Sequence, residues 1–248
     1  MFKEVDKIKT YFHNFEYIVS NKESILFIAG AGMDHRFVRA LNFLNKEFNP
    51  ALVIDFPGHG ETQGCSKNKI EDYSGFLNEA LIDFKEMNLH ICGYSMGGLI
   101  ALDLVLDKNF PAKSLILLNS IAPMMVSSSL VALAKKGNSF AADFIIKYGL
   151  SKNLIGIKNT FPSNKNQIMF DDLTACKNYQ PNEDLITSIE IPVNIILGGK
   201  DRLIDSDQAK VFANNLGSKI HLLDGAGHFP FFEDPAALSK IIESVIEF

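Results

Sequence analysis

Three polar residues have the types and settings that could do chemistry together. Ser95 sits in Gly93-Tyr94-Ser95-Met96-Gly97-Gly98, Asp201 closes Gly198-Gly199-Lys200-Asp201, and His228 closes Gly225-Ala226-Gly227-His228. A serine hydroxyl is a poor nucleophile until a base takes its proton. Histidine titrates near neutrality and can be that base. A carboxylate fixes the imidazole tautomer and stabilises the imidazolium. A G-x-S-x-G between a strand and a helix puts the serine at the tip of a sharp turn. It also puts the amide of Met96 at a helix N-terminus, where N–H groups are unpaired and the dipole favours negative charge. The pentapeptide alone is common, so the surrounding elements must bring its partners to it. Asp205 and Asp207 lie close to Asp201, and either could cap the helix that starts near Ser206.

Short apolar runs at Ser24-Ala29, Ala51-Asp55, Leu89-Cys92, Ser114-Asn119, Val193-Leu197 and Lys219-Leu223 read as strands, mostly buried on both faces. Helical spacing recurs between them. Phe37, Val38, Leu41, Leu44 and Phe48 mark one helix with Asp34 as its N-cap. Ile70 to Met87, Leu99 to Leu106, Ser206 to Leu216 and Pro235 to Ile246 mark others. The stretch Tyr11-Val19 is β-rich and reads as a strand pair or an edge strand. Alternating strands and helices imply a parallel sheet, whose strand ends share one edge. Ser95, Asp201 and His228 all follow strands, so distant residues can meet at that edge. The alternation breaks at Ala122-Pro123. Residues 124–187 read as helices without strand runs, at Leu130-Ala134, Phe140-Tyr148 and Ile168-Cys176. The expected division is a core of residues 1–123 and 188–248 with a helical cap of residues 124–187 between two core strands.

Composition bounds the rest. At 248 residues and 47% hydrophobic content, the chain can bury one large α/β core. A net charge of −5 argues against a nucleic-acid-binding surface. No apolar run reaches membrane-spanning length, and the first residues carry no signal-peptide pattern. Cys65, Cys92 and Cys176 are far apart without a C-x-x-C, which fits a reducing cytoplasm. The expectation is a cytoplasmic monomer or homodimer that acts on a small-molecule substrate and engages neither nucleic acid nor membrane. No cofactor and no metal site are expected. His13, His35, His90 and His221 show no paired ligand spacing.

The chain resembles the α/β-hydrolase superfamily from about residue 24 to its end. The resemblance is carried by Gly30-Ala31-Gly32, Asp55-Phe56-Pro57-Gly58-His59-Gly60, the Ser95 elbow, Gly198-Gly199-Lys200-Asp201 and Gly225-Ala226-Gly227-His228, in the family order serine, acid, histidine. It implies a mostly parallel central sheet flanked by helices with a small helical cap. It also implies Ser95 as nucleophile, Asp201 as acid, His228 as general base, and an oxyanion hole from the amides of Ala31 and Met96. Ala29 stands where many members carry histidine, which leaves the choice between the Ala31 and Gly32 amides open.

A serine nucleophile excludes the haloalkane dehalogenase and epoxide hydrolase readings, which use aspartate there. The leading expectation is hydrolysis of a carboxylic ester of a small, mostly apolar acyl group through an acyl-enzyme. A C–C bond hydrolase, a thioesterase or a lyase of the same fold is the alternative, and a non-catalytic ligand-binding module is another. Carboxylate or CoA-like substrates favour arginine clamps, yet the insertion holds none and the chain has only Arg36, Arg39 and Arg202. Met33, Met124, Met125 and Phe229 are expected to line the substrate pocket. His59 reads as a turn residue working with Asp55, Glu233 as a loop or capping residue, and Cys92 and Cys176 as packing.

Overall fold

The computed structural model of the protein describes residues 1–16, 23–37, 51–106, 110–154, 157–161 and 167–246. Among the described residues eight strands form the framework: β1 (Phe2–Val5), β2 (Ile8–His13), β3 (Glu23–Ile28), β4 (Val53–Ile54), β5 (Asn88–Tyr94), β6 (Ala112–Leu118), β7 (Val193–Gly198) and β8 (Lys219–Leu223). Five of them run parallel in the order β3-β5-β6-β7-β8. An antiparallel β1-β2-β4 sheet extends this one. The seam is a parallel bridge between Leu26 and Leu52, with Phe27 N to Leu52 O and Leu52 N to Ile25 O both at 2.9 Å.

Side-chain alternation along the parallel strands divides the core between the two faces. Leu26, Ile28, Leu89, Ile91, Leu115, Leu117, Ile195 and Leu197 pack on one face. They meet α1 (Ile70–Ala80), α2 (Met96–Leu106) and, later in the chain, the helix Ser206–Asn215. Ile25, Phe27, Cys92, Ile116, Leu118 and Ile196 pack on the other face, against the last helix, Pro235–Val245. Helix α2 is apolar almost all round and is correspondingly buried.

Between β6 and β7 lie α3 (Ser128–Lys136), α4 (Asn138–Gly149) and α5 (Ile168–Asn178), at the three places where the spacing predicts helices. The long helices after them are α6 (Ser206–Asn215) and α7 (Pro235–Val245), with single helical turns at Glu183–Ile186 and Pro230–Glu233. No described helix is long and apolar enough to cross a membrane.

Several local expectations need correction. The helix predicted over Ile70–Met87 ends at Ala80 and gives way to a 3₁₀ turn, Ile82–Phe84. That turn buries Phe84 edge-on against Phe15, so packing overrides the helical period. Of the run Tyr11–Val19, β2 holds Tyr11–His13, Asn14 then turns the chain with φ 62°, and residues 17–19 lie outside the described residues. Strand β1 carries no sequence signal of its hairpin, because the turn places Asp6 and Lys7 at positive φ without the usual glycine. Residues 38–50, and with them most of the helix expected after Asp34, lie outside the described residues.

Candidate active site

The parallel strands end together, and the polar residues of interest follow those ends. Ser95 follows β5, Asn119 follows β6, Asp201 lies just past β7, and His228 sits in the loop after β8. Ser95 has φ 51° and heads α2. Its backbone is pinned by Ser95 N to Leu118 O at 3.0 Å and Gly98 N to Ser95 O at 2.9 Å. A Cβ on Gly93 would collide with the Gly97 carbonyl, and one on Gly97 with the Ile28 carbonyl. The first turn of α2 folding back on the end of β5 therefore requires Gly93, and the close passage of the β3 end over the elbow requires Gly97.

The three predicted residues form one chain of hydrogen bonds. His228 Nε2 lies 3.1 Å from Ser95 Oγ, and His228 Nδ1 lies 2.7 Å from Asp201 Oδ2. A carboxylate only accepts, so Nδ1 carries the proton and Nε2 is left to receive one from the serine. Asp205 and Asp207 do not compete for His228. Asp205 caps α6 by accepting from the Asp207 and Gln208 amides, and Asp207 pairs with Lys210.

Asp201 has further partners that the sequence did not disclose. Asn119 Nδ2 donates to Asp201 Oδ2 at 2.7 Å and to the Gly227 carbonyl at 3.2 Å. The Leu203 amide donates to Asp201 Oδ1 at 2.8 Å. Burial pushes the Asp201 carboxyl up, but His228, Asn119 and the Leu203 amide together outweigh it and hold the group below the usual carboxylate value. The one signal for Asn119 was a polar residue ending an otherwise apolar strand.

The loop bearing His228 is held by Glu233, which is 3% exposed. Glu233 Oε2 accepts from the Gly227 amide at 2.8 Å and the Phe229 amide at 3.1 Å, while Oε1 accepts from the Ser151 amide at 2.6 Å. The His228 amide donates to the Gly149 carbonyl at 2.7 Å. The end of α4 and the histidine loop are thus fastened together. Glu233 is a loop clamp, in line with its expected role.

A cavity of about 260 Å³ opens above Ser95 and His228. Ala31 and all four residues expected at a pocket, Met33, Met124, Met125 and Phe229, contribute to its wall. Met33 and Phe229 are buried, whereas Met125 stands at the rim, 68% exposed. Leu130, Phe144, Tyr148, Leu173 and Cys176 from the inserted helices complete an apolar lining that sequence spacing alone did not single out. Arg202 is the one cation among the described lining residues. Its guanidinium donates to the Lys147, Tyr148 and Leu150 carbonyls at the end of α4. No group of three or more His, Cys, Asp or Glu among the described residues could hold a metal ion.

The two candidate oxyanion donors differ in availability. The Gly32 amide is taken by Asp172 Oδ2 at 2.7 Å. Ala31 faces the cavity beside Ser95. Met96 keeps its side chain in the core at 1% exposure, so only its amide at the start of α2 can serve the site. His59 does not work with Asp55. Its Nε2 lies 3.0 Å from Asp172 Oδ2 and its Nδ1 lies 3.1 Å from the Pro57 carbonyl. Asp55 instead accepts from the Glu61 and His35 amides, leaving His59 to reach the insertion.

Comparison with known proteins agrees with this architecture. A Mycoplasma genitalium protein named esterase/lipase 2 is 26% identical over 247 residues, covering 92% of this chain and 89% of its own. A pimeloyl-[acyl-carrier protein] methyl ester esterase of Neisseria meningitidis is 24% identical, covering 80% of this chain and 83% of its own. An esterase structure from Exiguobacterium antarcticum superposes with a TM-score of 0.83 at 18% identity, over 98% of both chains. The profile of the alpha/beta hydrolase family matches residues 25–241, and the chain belongs to that family.

Proposed function

We propose that the protein is a serine esterase that cleaves a carboxylic ester of a small, mostly apolar acyl group through an acyl-enzyme. The observation that carries this reading is the unbroken Ser95–His228–Asp201 hydrogen-bonded chain at the floor of an apolar cavity. The two sequence relatives named as esterases support ester cleavage as the reaction class.

In this reading Ser95 Oγ attacks the ester carbonyl while His228 Nε2 takes its proton. Asp201 holds the imidazolium that forms. The developing oxyanion is received by the Ala31 and Met96 amides, the latter at the positive end of the α2 dipole. His228 then returns the proton to the departing alcohol. Water repeats the attack on the acyl-enzyme and frees the acid.

The lining supports a neutral acyl group. Arg202, its one described cation, is engaged by backbone carbonyls rather than left free as a carboxylate clamp. At a water's share of about 30 Å³ per group, the cavity holds roughly eight or nine non-hydrogen atoms.

The test is a panel of acyl esters, acyl thioesters and vinylogous keto-acids run with wild type and Ser95→Ala. Ester turnover is expected to fall by at least about 10⁴-fold in the variant. Unchanged turnover in folded Ser95→Ala sinks the reading, and a preference for thioesters or keto-acids moves it to those chemistries. Failure of a fluorophosphonate probe to label Ser95 in folded protein favours a ligand-binding module.

A further inference from the structure

Asp172 lies on α5, outside the Ser95–His228–Asp201 chain, and is completely buried. A carboxylate in such a place must be matched by donors. Three are present. The Gly32 amide donates to Oδ2 at 2.7 Å, His59 Nε2 lies 3.0 Å from the same oxygen, and Tyr73 Oη donates to Oδ1 at 2.5 Å. Tyr73 Oη in turn accepts from the Lys67 amide at 2.9 Å. Burial lowers the His59 pKa, but Asp172 and the Pro57 carbonyl outweigh it, so His59 is held toward its charged form opposite the carboxylate.

Gly32 belongs to the turn that leaves β3 and passes over Ser95. A Cβ built on Gly30 would come within 3.3 Å of Ser95 Cβ, which places this turn directly beside the nucleophile. Helix α5 presses on the same turn a second time. A Cβ on Gly32 would run into the Met169 side chain, and Gly32 itself has φ +70°. One helical turn further along, Leu173 and Cys176 line the cavity. A single helix therefore touches both the acyl site and the turn that carries Ala31.

We propose that Asp172 is a positioning residue of the oxyanion hole. By holding the Gly32 amide it fixes the turn so that the Ala31 amide, rather than that of Gly32, faces the substrate oxygen beside Ser95. The role rests on the serine esterase reading. It makes a residue of the inserted helices part of the frame of the catalytic turn, with His59 and Tyr73 as the core groups that keep its carboxylate in place.

The experiment compares Asp172→Ala and Asp172→Asn with wild type. It measures kcat and KM on a short acyl ester, thermal unfolding, and affinity for a trifluoromethyl ketone whose adduct with Ser95 places an oxyanion in the hole. Asp172→Ala is expected to lower kcat at least about tenfold and to weaken the ketone in proportion, with KM within about twofold. Asp172→Asn can turn its amide oxygen to Gly32 and is expected to recover most of the lost kcat. Two results overturn the role: folded Asp172→Ala with wild-type kcat and ketone affinity, or Asn failing as badly as Ala. If Asp172→Ala does not fold, Asp172→Asn carries the test through hydrogen exchange at the Gly32 amide. Exchange protection and kcat must then be kept together or lost together, and a split between them overturns the role. Ser95→Ala in the same assay separates the two levels. Retained turnover there removes the esterase reading, whereas its loss beside unaffected Asp172 variants removes the positioning role alone.

Discussion

The φ of 51° at Ser95 lies in the left-handed region, which costs a non-glycine residue about 1–3 kcal/mol. The surrounding backbone bonds hold it there, and the hydroxyl is aimed at His228 as a result. Met96 follows it with a buried side chain, so its contribution to an oxyanion hole is the amide alone. Met96→Ala is expected to keep most of the activity. Met96→Pro removes the N–H and restricts Ser95, and should lower kcat by about 10²-fold or more. Both are read from kcat beside a thermal melt, and a folded Met96→Pro with wild-type kcat removes that amide from the hole. Asp201 gives a pH prediction. Its folded pKa is depressed, so the stability it contributes is present above the unfolded value of about 3.9 and is lost as pH falls through the lower folded value. Urea titrations of wild type between about pH 5 and 2 should show this acid limb, and Asp201→Asn should flatten it. An equally steep limb in the variant places the acid sensitivity elsewhere.

Glu233 shows how elements are joined around the site. Its two oxygens receive three backbone amides, two from the histidine loop and one from Ser151 beyond α4. In Glu233→Gln one acceptor becomes a donor facing an N–H. The expected loss is about 1–3 kcal/mol of stability in urea denaturation, with a fall in kcat as the His228 loop loosens. Unchanged stability and kcat together remove the clamp role. This scale also marks what the sequence could reveal. Ser95, Asp201 and His228 were legible because each sits in a glycine-bearing loop directly after an apolar strand, and parallel strands align such loops. Two of their supports were not legible, because each works through a partner distant in the chain. Asn119 reaches Asp201 across 82 positions, and Asp172 reaches Gly32 across 140. No local spacing encodes such pairs; only the closed fold does. His59 reads from the sequence as a turn residue for the same reason, since Asp55 is near in sequence and Asp172 is near only in space. The β1–β2 hairpin escaped because Asp6 and Lys7 take positive φ without glycine.

At the scale of the whole molecule, the strand ends supply the proposed reacting groups and the inserted helices supply much of the cavity wall. Ser95 and His228 stand at the strand ends, while Leu130, Phe144 and Leu173 come from α3, α4 and α5 in turn. This division predicts that substrate range and chemistry can be altered separately. The cavity of about 260 Å³ should favour acyl chains of roughly four to eight carbons over those of twelve or more. Phe144 packs at 4.5 Å, centroid to centroid, on Tyr148, and both line the cavity. Replacing it by alanine removes a ring from the wall without touching the hydrogen bonds of Ser95, His228 or Asp201. Phe144→Ala should therefore move the optimum toward longer chains by about two carbons or more, chiefly through KM, and leave the fluorophosphonate labelling rate of Ser95 within about twofold. The measurement is kcat/KM across a series of straight-chain esters for both proteins. A changed labelling rate with an unmoved optimum would mean that Phe144 supports the reacting groups rather than the acyl wall. An unmoved optimum with unchanged labelling would mean that the acyl chain leaves Ser95 by another route than the one these three helices enclose.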